Sequence, residues 1–236
     1  VMTWCGVLGA LSWNPARIAR VDDRHGRPVA VGEPANLTVI DLGAADLELG
    51  AWYARRSLDH AITRFAGIIA QTEDEVGGSV RLAGTFPLMG RDARWTIGGW
   101  HAFASNDAST FVNASGARGA LRSRADQDSS TTTAFAEIDL PVTGWLNAVA
   151  GGQYGRAVRD VTGKVGTVSG RGAYDQFNPR FGLIARVAPD AQVFANVSRS
   201  FEPPSLADLT SGGATPFAPL APQRATTYEI GTRGQS

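Results

Sequence analysis

The sequence predicts an all-β chain: a partial antiparallel transmembrane β-barrel, about nine strands of a larger closed sheet, preceded by a small α+β N-terminal segment. Three observations predict it. From Asp46 onward, apolar and polar residues alternate with period 2 over strand-length runs. The connections between those runs alternate strictly between short and long. No uninterrupted apolar run is long enough to cross a bilayer as a helix, because Val1 to Trp13 is broken by Thr3, Gly6, Gly9 and Ser12.

The elements follow in chain order. Asn14-Pro15 starts a short helix over Pro15 to Val21, with Asn14 capping the free N–H groups and Pro15 at the first helical position. Val29 and Val31, a Gly32-Glu33-Pro34 turn, then Leu37, Val39, Ile40 and Leu42 read as two β segments. The texture changes over residues 43–47, which divides the chain into a segment 1–45 and a strand-rich region 46–236. Strand candidates there begin with Leu47 to Arg56, Ile62 to Thr72, Val76 to Phe86 and Ala93 to Ala104.

The alternation is cleanest further on. In Thr131 to Leu140, Ala134, Ala136, Ile138 and Leu140 oppose Thr133, Glu137 and Asp139. Trp145 to Gly155 and Phe181 to Val187 repeat the split, the latter setting Phe181, Leu183, Ala185 and Val187 against Arg180 and Arg186. Val193 to Ser198 and Thr226 to Ile230 complete the set. One face of such a strand seeks an apolar medium and the other seeks water.

The connections give the orientation. Pro87 to Asp92, Val142 to Gly144 and Ala188 to Asp190 are short, whereas Ser105 to Ser130, Asp160 to Gly172 and Phe201 to Pro222 are long, the first of these rich in Ser, Asn, Asp, Gly and Ala and the second in Gly, Thr and Ser. Outer-membrane barrels have this layout, with short turns on one side of the membrane and extended loops on the other. A soluble β-sandwich alternates too, yet has no reason to place every long loop at one end. Trp95, Trp100, Trp145, Phe181 and Tyr228 are candidates for aromatic girdles at the lipid headgroups. The chain starts at Val1 and its last residues read as an interrupted strand, so a fragment is expected.

Composition removes other classes. The 236 residues carry 22 Lys+Arg and 22 Asp+Glu, a net charge of zero, which excludes a nucleic-acid binder relying on positive charge. One cysteine, Cys5, and three histidines leave neither a disulfide nor a Cys/His zinc site. No phosphate loop, dinucleotide fingerprint or nucleophile elbow is present. The run Glu73-Asp74-Glu75 reads as a solvated turn. Glu137 and Asp139 read as charges on the water-facing side of a strand, not as an acid–base pair. Arg180 and Arg186, on the same side, suit anionic partners. His25, His60 and His101 read as ordinary polar positions. No catalytic, cofactor-binding or metal-binding residue is named, and no ligand contact is assigned.

Two stretches carry resemblances. Phe177-Asn178-Pro179-Arg180-Phe181-Gly182-Leu183-Ile184, then Val193 through Ser205 with its Arg199-Ser200-Phe201-Glu202-Pro203-Pro204-Ser205 end, then Pro222 through Gly231 with Thr226-Thr227-Tyr228-Glu229-Ile230-Gly231, resemble consecutive strands of TonB-dependent outer-membrane receptors. Arg55-Arg56-Ser57-Leu58-Asp59-His60 is similar to a strand-to-loop segment of the siderophore branch of that family, so the resemblance covers about residues 46–236. It implies a 22-stranded barrel plugged by an N-terminal domain. It also implies capture of a ferric siderophore or similar scarce nutrient outside the cell, and import powered through TonB. Outer-membrane lipid is the implied medium, and no enzyme activity or cofactor follows. The TonB box, plug and closing strands are expected to lie outside these residues.

The start of the chain looks different. Asn14-Pro15-Ala16-Arg17-Ile18 and Gly26-Arg27-Pro28-Val29-Ala30-Val31-Gly32-Glu33-Pro34-Ala35-Asn36-Leu37-Thr38-Val39-Ile40-Asp41 are similar to the C-terminal end of dihydroorotases and related amidohydrolases. In that family the metal site belongs to a separate barrel domain. The alternative reading is therefore a cytoplasmic, metal-dependent amidohydrolase represented only by its tail. The joint near Gly43 to Asp46 is expected to mark a chimeric or misassembled reading frame.

Overall fold

A single antiparallel sheet carries the molecule. In the computed structural model, residues 38–41, 45–63, 67–210 and 217–234 are described. Nine strands pair in simple chain order: β1 (Thr38–Asp41), β2 (Ala45–Thr63), β3 (Gly67–Leu88), β4 (Arg91–Ala114), β5 (Ala117–Pro141), β6 (Leu146–Val165), β7 (Gly170–Ala188), β8 (Ala191–Glu202) and β9 (Gln223–Gly234). A four-residue helix, α1 (Leu206–Leu209), sits in the connection from β8 to β9. The all-β expectation of about nine strands of an antiparallel barrel agrees with this up-and-down sheet. The expected helix Pro15 to Val21, the Val29/Val31 segment and His25 lie outside the described residues.

The strands are much longer than a bilayer requires. β5 has 25 residues and β4 has 24, while about 9–11 residues cross the hydrocarbon core. This overturns two expected loops. Ser105 to Ser130 is the distal part of β4 and β5, joined by a tight turn in which Ser115 (φ 55°) and Gly116 (φ 93°) both take left-handed backbone. That conformation matches the right-handed twist of the flanking strands, and Asn113 Oδ1 braces it by accepting from the Gly116 N–H at 2.7 Å. Asp160 to Gly172 likewise becomes strand as far as Val165 and from Gly170. Only Phe201 to Pro222 remains a long connection.

The strand divisions near the start also change. Ile62 to Thr72 is not one strand: it spans the end of β2 and the start of β3, and Val76 to Phe86 continues β3. Thr38–Asp41, placed with the preceding segment, is a strand of this sheet and pairs with β2 from Thr38↔Leu49 to Asp41↔Asp46. The turns between β3 and β4, β5 and β6, and β7 and β8 are short, as read. At the first, Met89 (φ 51°) and Gly90 (φ 75°) form the same kind of left-handed pair as Ser115-Gly116. At the second, the Thr143 hydroxyl accepts from the Leu146 N–H at 3.0 Å, and the Trp145 carbonyl accepts from the Arg186 N–H at 2.7 Å.

The register separates the two faces. Leu49, Val80, Gly99, Ala134, Tyr154 and Phe177 lie in one directly opposed row, and Leu82, Ile97, Ala136, Gly152 and Pro179 in the next row of that face. Phe181, Val197 and Tyr228 continue it on the later strands. These apolar side chains are exposed rather than buried, Phe181 at 56% and Tyr228 at 80%. A contiguous apolar face of this size in water would be an association surface. On β4 it runs from Ala93 through Trp95 and Ile97 to Phe103, which at the usual strand tilt is about 25 Å of height, the thickness of a lipid-facing band.

Candidate functional site

The opposite face is largely polar, and many of its residues are paired across strands. Glu48 accepts from Arg81, Trp52 Nε1 donates to Glu75 at 2.8 Å, and Arg56 lies 3.2 Å from Glu73. At the centre Arg180 Nη1 donates to Glu137 Oε2 at 3.2 Å, with only 13% and 23% of the two side chains exposed. Asp139 accepts from Asn147 Nδ2 at 2.7 Å, and Glu229 from Asn196 Nδ2 at 2.8 Å. Glu137 and Asp139 therefore share one face as expected. Each is held by its own hydrogen-bond partner.

The acidic run departs from expectation. Glu73, Asp74 and Glu75 stand in the middle of β3, not in a turn, so their side chains alternate across the sheet. Asp74 lies on the apolar side, where it accepts from the Tyr53 hydroxyl at 2.5 Å and sits 3.7 Å from Arg55. The three carboxylates diverge, and among the described residues no group of three or more His, Cys, Asp or Glu side chains is placed to hold a metal ion. The misreading has a simple cause: three consecutive charges look like a turn only when the strand is assumed to end at the membrane.

Arg186 faces the same side as Arg180 but lies near the short turns. With Arg91, Arg94 and Arg233 it lines a concavity of about 640 Å³. None of these four guanidiniums forms an ion pair with a described residue. His60 is exposed on the polar face near the distal end of β2, and His101 is exposed on the apolar face with Nδ1 2.8 Å from the Thr132 hydroxyl. Of the girdle candidates, Trp95, Phe181 and Tyr228 lie on the apolar face and Trp145 projects from a turn. Trp100, opposite Ser79 and Thr133, belongs to the polar face. Tyr53, Phe103, Tyr154 and Phe177 supply the distal aromatic edge instead.

Beyond the apolar band both faces carry charged side chains. Exposed ion pairs lace the extensions: Asp59 with Arg118 at 2.7 Å, Asp107 with Arg124 at 2.5 Å, Asp126 with Lys164 at 2.8 Å and Asp160 with Arg171 at 3.8 Å. The hydrogen bond from Arg124 to Asp107 holds that guanidinium above its ordinary value, yet such open pairs contribute little to stability.

Over the distal part of the polar face lies the connection between β8 and β9. Ser205 caps α1: its hydroxyl accepts from the Asp208 N–H at 3.2 Å, and the Asp208 carboxylate accepts from the Ser205 N–H at 3.0 Å. α1 packs against β6, Leu209 is fully buried, and Ala157 and Val161 beneath it are 1% exposed. Phe217 stands over Gly170, where a Cβ would come within 2.2 Å of the ring. Here the sheet and its connection bury three apolar side chains, Ala157, Val161 and Leu209. The sequence marks this connection only as long, although the Ser-x-x-Asp cap before Leu209 is a usable signal.

These two faces correspond to a match with a known family. Residues 17–236 fit the family model described as the β-barrel of TonB-dependent receptor-like proteins. The chain belongs to this family. Receptors of this family are outer-membrane barrels, and in such a barrel an apolar face meets lipid while a polar face lines the lumen. Solved structures share the fold at low identity. The unliganded ferric citrate transporter is similar over 83% of this chain and 31% of its own length, with a TM-score of 0.67 at 14% identity. The ferric yersiniabactin uptake receptor of Yersinia pestis is similar over 84% and 32%, at 0.60 and 11%. The ferripyoverdine receptor of Pseudomonas aeruginosa, bound to ferripyoverdine, is similar over 81% and 28%, at 0.53 and 18%.

The chain thus spans about a third of these receptors. Curated relatives match a shorter piece. Dihydroorotases of Mycobacterium leprae and Mycobacterium tuberculosis are 49% identical over 57 residues, 24% of this chain and 13% of the enzyme. The family match starts at residue 17, within the segment 1–45 that the dihydroorotase resemblance covers.

Proposed function

We propose that the chain is part of a receptor barrel that takes up a ferric siderophore or a similar chelated nutrient across the bacterial outer membrane, and that it is not an enzyme. The observation that carries this reading is the division of one sheet into an exposed apolar outer band and a cross-paired, charged lumen wall. Such a wall leaves a hydrated path between the lipid boundary and the interior. The similar receptors named above take up iron chelates, which supports the ligand class. TonB is the proposed source of energy, engaged through a segment outside these residues.

Deletion of the gene tests this. Cells lacking it should lose uptake of at least one radiolabelled ferric chelate under iron limitation and regain it on complementation. Unchanged uptake across hydroxamate, catecholate and carboxylate chelates would overturn the reading. For the first 42 residues we propose a foreign origin from a dihydroorotase-like frame, supported by the 49% identity over 57 residues. Long-read sequencing of the locus decides it: separate loci for the two parts support the junction, and one continuous transcript encoding both argues against it.

A further inference from the structure

The apolar face is not flat. Ala136 on β5 and Ala150 and Gly152 on β6 form a floor of small residues, between Trp95 and Ile97 of β4 on one side and Phe181 of β7 on the other. They outline an open groove of about 730 Å³. Its walls stand on strands three spacings apart, about 14 Å. Small residues between bulky ones leave a channel that a hydrocarbon chain can fill, gaining contacts that a smooth apolar wall would not supply.

The distal end of the groove carries an aromatic pair and then a charge pair. Tyr154 and Phe177, which also line the groove, stand directly opposite each other on β6 and β7. The next residues on the same face are Arg156 and Asp175, again directly opposite each other. Both are exposed, and neither forms an ion pair with a described residue. The distal extensions differ, since Arg124, Lys164 and Arg171 each meet an aspartate there. From Leu146, where β6 begins, to Arg156 the strand climbs about 25 Å at the usual tilt, the height at which hydrocarbon gives way to head groups. Opposed Cα atoms of an antiparallel pair are about 5 Å apart. A cation and an anion are thus presented side by side at the end of an apolar groove. Their complement is a head group whose own anion and cation are adjacent.

We propose that this groove binds a lipid whose head group carries a phosphate next to a primary ammonium. The phosphate sits on Arg156, the ammonium on Asp175, and an acyl chain runs along the floor below Tyr154 and Phe177. A guanidinium donates in parallel to two phosphate oxygens, and the ammonium donates to the carboxylate. A quaternary ammonium has no N–H to give, and a glycerol head group sets no positive charge against Asp175. Phosphoethanolamine is therefore preferred over phosphocholine and phosphoglycerol. The inference rests on the reading of the apolar face as lipid-facing.

The test uses the full-length gene product, stripped of lipid in detergent and titrated with phosphatidylethanolamine, phosphatidylcholine or phosphatidylglycerol of matched acyl chains. Native mass spectrometry counts the lipid retained. Phosphatidylethanolamine should bind saturably, about threefold to tenfold more tightly than the other two. Asp175→Asn should abolish its preference over phosphatidylglycerol without weakening phosphatidylglycerol itself. Arg156→Gln should weaken both by about threefold or more. Both substitutions fall at exposed positions, where stability changes little. Ala150→Trp, which fills the groove and leaves the charges in place, should lower retention of all three lipids, while Arg124→Gln should leave retention unchanged. Equal binding of phosphatidylethanolamine and phosphatidylcholine, or a preference that survives both Arg156→Gln and Asp175→Asn, would overturn the site. If all three lipids are retained equally, the head-group site alone fails. If none is retained, the lipid-facing reading fails with it.

Discussion

Strand β5 is written in two languages. Between Thr131 and Pro141 it alternates small or apolar residues with polar ones, while between Ala117 and Ser130 it is polar on both sides, yet the hydrogen-bonded ladder to β4 and β6 runs through both parts. The difference teaches that the medium, not the backbone, sets the alternation. Where lipid touches one face, that face must be apolar, because hydrocarbon offers nothing to a charge. Where water touches both, any residue that tolerates an extended backbone suffices, and order comes from cross-strand pairs and from the segment that folds over the lumen wall.

The largest effect that would break this comparison is a charge placed in the lipid band. Leu183→Arg, on the outer face of β7 with half of its surface exposed, should destabilise the protein by about 2–4 kcal/mol in a lipid bilayer. Ser109→Arg, in the distal part of β4, should change stability by no more than about 0.5 kcal/mol. Urea unfolding in phospholipid vesicles measures both. Equal effects at the two sites would mean that the outer face does not meet lipid.

Next in size is the removal of the apolar peg in the distal half. Leu209→Ala empties a fully buried position, which typically costs about 2–4 kcal/mol. The loss should appear locally, as faster hydrogen exchange in α1 and in β6 around Val161, with the lipid-facing half unchanged. A global loss of stability would instead show that the two halves unfold together.

The lumen wall should respond between these limits. Glu137→Gln removes the charge facing Arg180 in a mostly buried pair, and a cost of about 1–3 kcal/mol is expected. Asp107→Asn breaks an exposed pair and should cost under about 1 kcal/mol. Denaturation of the two variants side by side gives the ratio, and equal costs would contradict the difference in burial.

The same division explains what was legible. The proximal half was readable almost residue by residue, because lipid imposes period 2 on Ala134 to Leu140 and on Phe181 to Val187. Arg180, Glu137 and Asp139 fell on the correct face for the same reason. The distal half was hidden: Ser105 to Ser130 has no apolar face, and the Ser115-Gly116 turn lacks the Asn-Gly signature that marks most two-residue hairpins. Glu73-Asp74-Glu75 was misplaced for want of that knowledge. The burial of Ala157 and Val161 carried no local signal, since it arises only from the cover that α1 and Phe217 form over β6 and β7.

The smallest expected effect is one of pH on that cover. Asp208 accepts from the Ser205 hydroxyl at 2.7 Å and from its backbone N–H at 3.0 Å, and these bonds, led by the hydroxyl, hold its carboxyl below the ordinary aspartate value. A carboxylate with a lowered folded value contributes stability that is fully present above the unfolded value of about 3.9 and is lost as pH falls through the folded one. The cover should therefore stay closed from neutrality to about pH 5 and loosen only below about pH 4. Pepsin cleavage beside Leu209 reads this directly: it should rise on acidification in the natural protein beyond the rise seen at a control site. In Asp208→Asn, which has nothing to titrate there, the two sites should rise together. Cleavage beside Leu209 that outpaced the control site equally in Asp208→Asn would show that a group other than Asp208 loosens the cover.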